Sequence, residues 1–284
     1  MPKAKSFTSS QTTVVVIPDT QIRPGAPIAH LRWIGQYTVD TFKGRDNVSV
    51  VHLGDHWDFP SLSSYDKKGG RKMEGRRVLA DIEAGNEAFD VLNKPFDTYN
   101  RRRRAQHLTV WEPPKHLLRG NHEDRLSRAI EDNPQMEGIL SFDLLQSPGW
   151  KVHDFLNVLE IAGTRFSHYF VNNTNGKPVG GMIETRIKSI GCSFVQGHQQ
   201  GLRTGMLETV AGRRRGVVAG SCYLTAEAYR GPQAQGEWRG ILILNAMQDG
   251  DFDVEEVSLN QLCLRYEGMP LDQFLKENFG GWAQ

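Results

Sequence analysis

Four short polar clusters in this 284-residue chain carry side chains that can hold metal ions and move protons. They are Asp19-Thr20-Gln21, Gly54-Asp55-His56-Trp57-Asp58, Arg119-Gly120-Asn121-His122-Glu123 and Gly197-His198-Gln199-Gln200. Carboxylates, imidazoles and amide oxygens are donors for divalent cations. An imidazole beside a carboxylate is also a general acid–base pair. His168, between Ser167 and Tyr169, is a fifth contributor. Each cluster alone has a plainer use. Asp19 after Pro18 suits a turn, Gly54-Asp55 is a common turn pair, and Asn121 suits a helix cap. A single strand histidine is more often hydrogen-bonded than a ligand. The joint occurrence, each cluster following a strand, favours the metal reading.

The strands that must position these clusters are set by apolar runs. Val14 to Ile17 is β-branched and closed by Pro18; Val48 to Leu53 stops at Gly54. Lys115 to Leu118 runs into Gly120, and Ser193 to Gln196 into Gly197. Runs this short predict buried strands. Helical spacing predicts helices over Ile28 to Phe42, Gly75 to Asn93 and Met182 to Ile190, with another starting near Asn121. In that last helix Glu123 and Asp124 would lie in the first turn. Gly85 weakens the second helix, and Pro95 ends or kinks it. Ser61 to Arg71 reads as a loop.

Leu156 to Ile161 and Thr164 to Phe170 read as strands joined by Ala162-Gly163, which places His168 inside a strand. Thr204 to Val210 and Gly216 to Ala219 read as a hairpin with Gly212-Arg213-Arg214-Arg215 at its tip. Ile241 to Leu244 and Phe252 to Val257 pair around Asp249-Gly250. The first half alternates strand and helix; the second is mostly strand. That order predicts an α/β fold of two mixed sheets with helices outside. Residues 1–12 are expected to be a flexible N-terminus, and residues 13–284 a single domain. Ligands of open α/β sheets bind beyond the carboxyl ends of strands, so the clusters would share one rim.

Composition narrows the classes. The net charge is +1, with 38% apolar and 24% charged residues. That is ordinary globular composition, too apolar for disorder and too balanced for bulk attraction to polyanions. Cys192, Cys222 and Cys263 lie far apart, which excludes a disulfide scaffold and a cysteine zinc knuckle. The polar start carries no secretory signal, so the expected compartment is the cytoplasm, without membrane attachment.

The ordered set resembles the calcineurin-like metallophosphoesterase superfamily, whose pattern is DxH, GDxxD, GN[HR][DE], a single His and GHxH. Here it spans Val14 to about Ser221. GDxxD and GNHE about 65 residues apart are its most specific part. The resemblance implies a four-layer α/β/β/α sandwich with two divalent ions between the sheets. Asp55 would bridge both ions. Asn121, His168 and His198 would hold one; Asp19, with Gln21 and Gln200, would hold the other. The two glutamines stand where the family usually has histidines. Oxygen-rich donors favour Mn²⁺ over Zn²⁺, with Mg²⁺ and Ni²⁺ as further candidates. The alternative is that this half-site is lost and the protein is mononuclear or inactive.

The implied chemistry is hydrolysis of phosphate esters. Two bound ions would clamp phosphoryl oxygens and lower a water's pKa toward ~7. His122 would protonate the leaving oxygen, and Asp58 would orient His122. The family's protein phosphatases carry an arginine after GDxxD; here that place is Phe59, followed by Pro60. This departure, with Arg203, Arg213, Arg214 and Arg215 as phosphate contacts and Trp57 as a stacking wall, favours a phosphodiesterase on nucleotides or nucleic acid. The plainer alternatives are a solvated hairpin tip, a solvated Arg101–Arg104 helix end and ordinary packing of Trp57. A phosphomonoesterase and a nucleic-acid-binding protein without turnover are the competing functions.

Overall fold

The computed structural model describes residues 11–64, 70, 73–210, 212–226 and 237–282. The first strand, β1 (Thr12–Ile17), lies at the centre of a sheet of six. Parallel neighbours continue on one side: β2 (Val48–His52), β3 (Lys115–Leu118) and β4 (Lys151–His153). Antiparallel β10 (Gly240–Gln248) and β11 (Asp251–Ser258) close the other. The second sheet has order β5 (Leu159–Ile161), β6 (Thr164–Ser167), β7 (Ser193–Gln196), β9 (Gly212–Ala219), β8 (Leu202–Thr209). Parallel and antiparallel pairs occur in both, so both sheets are mixed.

The period of two decides which face each side chain takes. Val14, Val16, Val51, Leu53 and Leu118 point between the sheets, where they meet Phe166, Val195, Val217 and Ala219. Val15, Ile17, Val48 and Val50 point the other way, under helices α1 (Ala29–Phe42), α2 (Val78–Ala105), α5 (Leu259–Glu267) and α6 (Leu271–Phe279). The second sheet is covered outside by α4 (Ile183–Ile190) through Ile183 and Ile187 on Phe194. Strands buried on both faces read as unbroken apolar runs, which is how Val14 to Ile17 reads. With α3 (Arg125–Asp132), six α-helices lie among the described residues. None of these is long and apolar enough to cross a membrane.

Several expectations are corrected. Pro95 neither ends nor breaks α2, which continues to Ala105. Helices α1 and α2 cross there so closely that a Cβ on Gly35 would lie 2.3 Å from the Leu92 carbonyl and 3.1 Å from the Pro95 ring. That packing carries the helix past its missing hydrogen bond. Gly85 likewise makes room rather than weakness: a Cβ there would lie 2.0 Å from Trp57. Arg213, Arg214 and Arg215 lie within β9, since the hairpin closes at the Thr209–Gly212 pair. Thr12 already belongs to β1, and residues 1–10 and 65–69 lie outside the described residues.

Strand registers align the clusters. Ile17, His52 and Leu117 stand level in the first sheet, as do Ser167 and Gln196 in the second. β6 stops at Ser167, so His168 follows a strand end like the other clusters, and is not inside the strand. All five chain segments therefore leave their sheets at one rim.

Candidate metal centre

Loops that leave strands at a crowded rim need their backbone groups satisfied. Glu123 does this. One carboxylate oxygen accepts from the Asp55 amide (3.0 Å) and the Gly120 amide (2.7 Å). The other accepts from the His56 amide (2.5 Å) and the Trp57 amide (3.0 Å). Glu123 is fully buried, and burial raises its pKa. Its task is to tie the 54–57 loop to the 120–123 loop. Helix α3 starts only at Arg125, so Glu123 does not serve a helical first turn.

Close approach at the rim demands glycine. A Cβ on Gly120 would lie 2.1 Å from Asp55 Oδ1, and one on Gly197 would lie 2.4 Å from Asp19 Oδ1. Gln21, Asp55 and His198 take positive φ values of 41°, 49° and 64°. Non-glycine residues seldom adopt this region, and such strain collects at functional sites.

Around Asp55 the donor atoms converge. Its Oδ1 accepts from the His122 amide at 2.9 Å, and its Oδ2 lies 3.3 Å from His168 Nε2. His168 Nδ1 donates to the Leu53 carbonyl at 2.8 Å, which turns Nε2 toward Asp55 and Asn121 Oδ1, the latter at 2.9 Å. Asp55, His168 and His198 each offer a ligand atom within 4.8 Å of the others. Bonds of about 2.1 Å at near right angles put neighbouring donors roughly 3 Å apart around one small cation. Asp55 Oδ2 and His168 Nε2, 3.3 Å apart, have that spacing. Burial would raise the Asp55 carboxyl, but His122 and His168 outweigh it and hold Asp55 well below the usual carboxylate range. Burial would lower His168, yet Asp55 raises it to about 9. His198 is lowered to about 4, by burial and then by His168.

Asp19, just after β1, is fully buried. Its Oδ1 accepts from the His198 amide at 3.1 Å; its Oδ2 is buried with no hydrogen-bond partner. Burial pushes this carboxyl up to about 7. A buried carboxylate oxygen without a donor is costly unless a cation meets it. Gln21 and Gln200 arrive from opposite sheets, and Gln200 Nε2 donates to Gln21 Oε1 at 3.4 Å. The Asp55, His168 and His198 group therefore fits one divalent cation, and the buried Asp19 oxygen without a partner is the feature on its side that would suit another.

A second unit stands beside the first. His122 Nδ1 donates to Asp58 Oδ1 at 2.8 Å, while His122 Nε2 lies 3.7 Å from Asp55 Oδ2. Burial lowers His122, but Asp55 and Asp58 together raise it above its ordinary value. The imidazole can hold a proton next to the donor cluster.

The proposed substrate contacts fare differently. Trp57 is 1% exposed and packs on His56 and Phe89 beneath α2, so it offers no face to a base. Arg213 pairs with Asp251 at 3.3 Å and Glu208 at 3.8 Å. Arg215 pairs with Asp251 at 2.7 Å and Asp253 at 3.5 Å. Arg214 lies on the same strand and is not at a tip. Arg203 is exposed on β8, opposite Val218. Sequence reasoning missed the tie made by Glu123 and the guanidinium of Arg125, which meets His122 Nε2 at 3.0 Å. Both lie within or just after the quoted GNHE motif; the signal was their position, read there as helix.

No protein-family model matches this chain, and no curated protein matches it.

Proposed function

We propose that this chain is a metal-dependent phosphoesterase of the calcineurin-like kind, folded as that family's four-layer α/β/β/α sandwich. One observation carries the proposal. Asp55, Asn121, His168 and His198 converge from four strand ends of two sheets, beside a buried Asp19 oxygen with no partner. Two divalent ions held there, Mn²⁺ foremost, would neutralise phosphoryl oxygens and acidify a water.

The chain's own residues do the rest. Asp55 would bridge the two ions. His168 and Asn121 are locked on one side, and Asp19 waits on the other. His122, oriented by Asp58, would give a proton to a leaving oxygen once its Nε2, which accepts from Arg125 here, has taken one up. Glu123 keeps the two loops at fixed distance.

The diesterase expectation loses two of its supports, because Trp57 is buried and Arg213 and Arg215 face acids. The same ion pairs weaken a nucleic-acid-binding function without turnover. A phosphomonoesterase gains support from the arginines beside His122. The test is metal-stripped protein assayed with Mn²⁺, Mg²⁺, Zn²⁺ and Ni²⁺ on p-nitrophenyl phosphate and bis(p-nitrophenyl) phosphate. Metal-dependent release of p-nitrophenol, abolished by Asp55→Asn, is expected. Hydrolysis indifferent to metal or to Asp55 contradicts the proposal.

A further inference from the structure

Trp57, expected to be a stacking wall, is buried, but two other aromatic rings stand at the rim. Tyr169 follows His168 directly. Its ring centre lies 4.8 Å from that of His198 and 5.7 Å from that of His168. Phe155 comes from the turn after β4 and meets Tyr169 at 5.5 Å, with the two ring planes at 79°. It also lies 6.4 Å from the His168 ring. Both residues are half-buried, so each ring keeps part of its surface open. Beyond them the same turn exposes Leu156 at 36% and Val158 at 49%.

Local bonds hold these rings in place. Asp154, one residue before Phe155, pairs with Arg119 at 2.8 Å, and the Arg119 guanidinium lies 3.9 Å over the Phe142 ring. The Asn157 amide donates to the Asp154 carbonyl at 3.0 Å and closes the turn. Within it Leu156 adopts φ 65°, a strained value for a bulky residue, and yet stays exposed. Such strain without burial marks a segment shaped for something outside the chain. On the other side, Ser167 Oγ donates to the Tyr169 carbonyl at 2.9 Å, next to the locked ring of His168.

We propose that Tyr169 and Phe155 form an aromatic corner that receives a planar aromatic leaving group of the ester. The inference rests on the phosphoesterase function proposed above. In that function His122 protonates the leaving oxygen, so the leaving group lies against the segment that carries His122. That segment approaches the corner. Asn121 Oδ1 lies 2.9 Å from His168 Nε2. Burial, and then the Asp124 carboxylate, raise the Tyr169 hydroxyl above its ordinary pKa, so Asp124 is near enough to act on it. The glutamine side of the centre presents amides instead. Aromatic rings prefer offset-stacked or edge-to-face contact at 4.5–7 Å between centres. Two rings near a right angle let a third meet one by its face and the other by its edge. An alkyl group has no such fit.

The test uses full-length wild type, Tyr169→Phe, Tyr169→Ala and Phe155→Ala, each supplied with Mn²⁺. Phenylphosphonate and methylphosphonate, which have no ester bond to cleave, are titrated calorimetrically. Turnover is measured on phenyl phosphate and ethyl phosphate. Wild type should prefer phenylphosphonate, and each alanine variant should lose roughly 5- to 100-fold of that preference, the range for one stacking contact. Tyr169→Phe keeps the ring and should keep the preference. The phenyl-to-ethyl ratio of kcat/KM should fall in the alanine variants as well. A nucleoside 5′-phosphonate, titrated alongside, separates the two sources of such a ring: tighter binding than phenylphosphonate assigns the corner to a nucleobase, weaker binding to an aryl group on the ester oxygen. Phenylphosphonate preference lost in the alanine variants, with no hydrolysis even by wild type, would support the corner and overturn the phosphoesterase function. Equal affinity of wild type for the phenyl and methyl phosphonates, or a preference unchanged in both alanine variants, would overturn the corner. Equal loss of both phosphonates would make the rings mere supports of His198 and overturn it too.

Discussion

The two halves of the site are built differently. On the imidazole side, His168 is fixed at both ring nitrogens, by the Leu53 carbonyl and by Asp55 with Asn121. The ring has one orientation before any ion arrives. On the glutamine side, Gln21 and Gln200 satisfy each other across 3.4 Å, while Asp19 Oδ2 has no partner. The bond uses the Gln200 nitrogen, so both amide oxygens keep a lone pair for a cation, but a single long hydrogen bond orients them weakly. The same rim therefore holds one firmly oriented donor set and one loosely oriented set. Fixed ligand orientation by outer partners is worth about 10–100-fold in metal affinity. The comparison predicts unequal sites.

The largest expected effect removes the contrast altogether. In the proposed function Asp55 would serve both halves, so Asp55→Asn should lower turnover by more than roughly 100-fold, beyond the loss of an outer partner. Metal content, measured after dialysis, should fall in both sites together. Loss of one ion with the other retained would break the bridging role.

His122→Ala leaves both donor sets in place. Bound metal should persist while turnover falls by about 10²–10⁴-fold on an ester with a poor leaving group. The fall should be smaller for p-nitrophenyl phosphate, whose leaving group needs less protonation. Equal falls on both would remove the acid role and leave His122 a positioning residue.

How much of this was legible in the sequence depends on what each residue answers to. Strand ends were legible, because Val14 to Ile17 and Val48 to Leu53 are short apolar runs that close on glycine or proline. Asp19, Asp55, Asn121 and His198 were legible for the same reason. Residues whose role depends on a distant segment were not. Gly35 and Gly85 gain their meaning from Pro95 and Trp57, which only packing brings near. Glu123 binds the amides of a loop 66 to 68 residues earlier, so local spacing offered only a helical first turn. The arginine run gave a hairpin tip, whereas the acids that neutralise it, Asp251 and Asp253, come from β11. Helices α5 and α6 also went unread.

A smaller effect sharpens the role of Glu123. Glu123→Gln keeps the shape but turns an amide NH₂ toward backbone donors. It should cost about 1–3 kcal/mol of stability for each amide left unpaired, read from denaturant unfolding. Both half-sites should weaken together, since both loops loosen. An unchanged midpoint would show that the tie is dispensable.

Changing Gln21 and Gln200 to His acts on one half alone. It should tighten the weaker site, shift preference toward Zn²⁺ and leave the stronger site's affinity unchanged. Weakening of both would mean that the halves are not independent.

The most direct measurement is calorimetric titration of Mn²⁺ into metal-stripped wild type at two pH values, with turnover followed in parallel. His168 is held charged up to about 9 without metal. Below that pH an ion must displace its proton, and affinity at the imidazole site falls by about tenfold per pH unit as pH is lowered. The account predicts two unequal sites, proton release at the tighter one, and turnover that rises as the second fills. Absence of binding, or two equal tight sites without proton release, would contradict it.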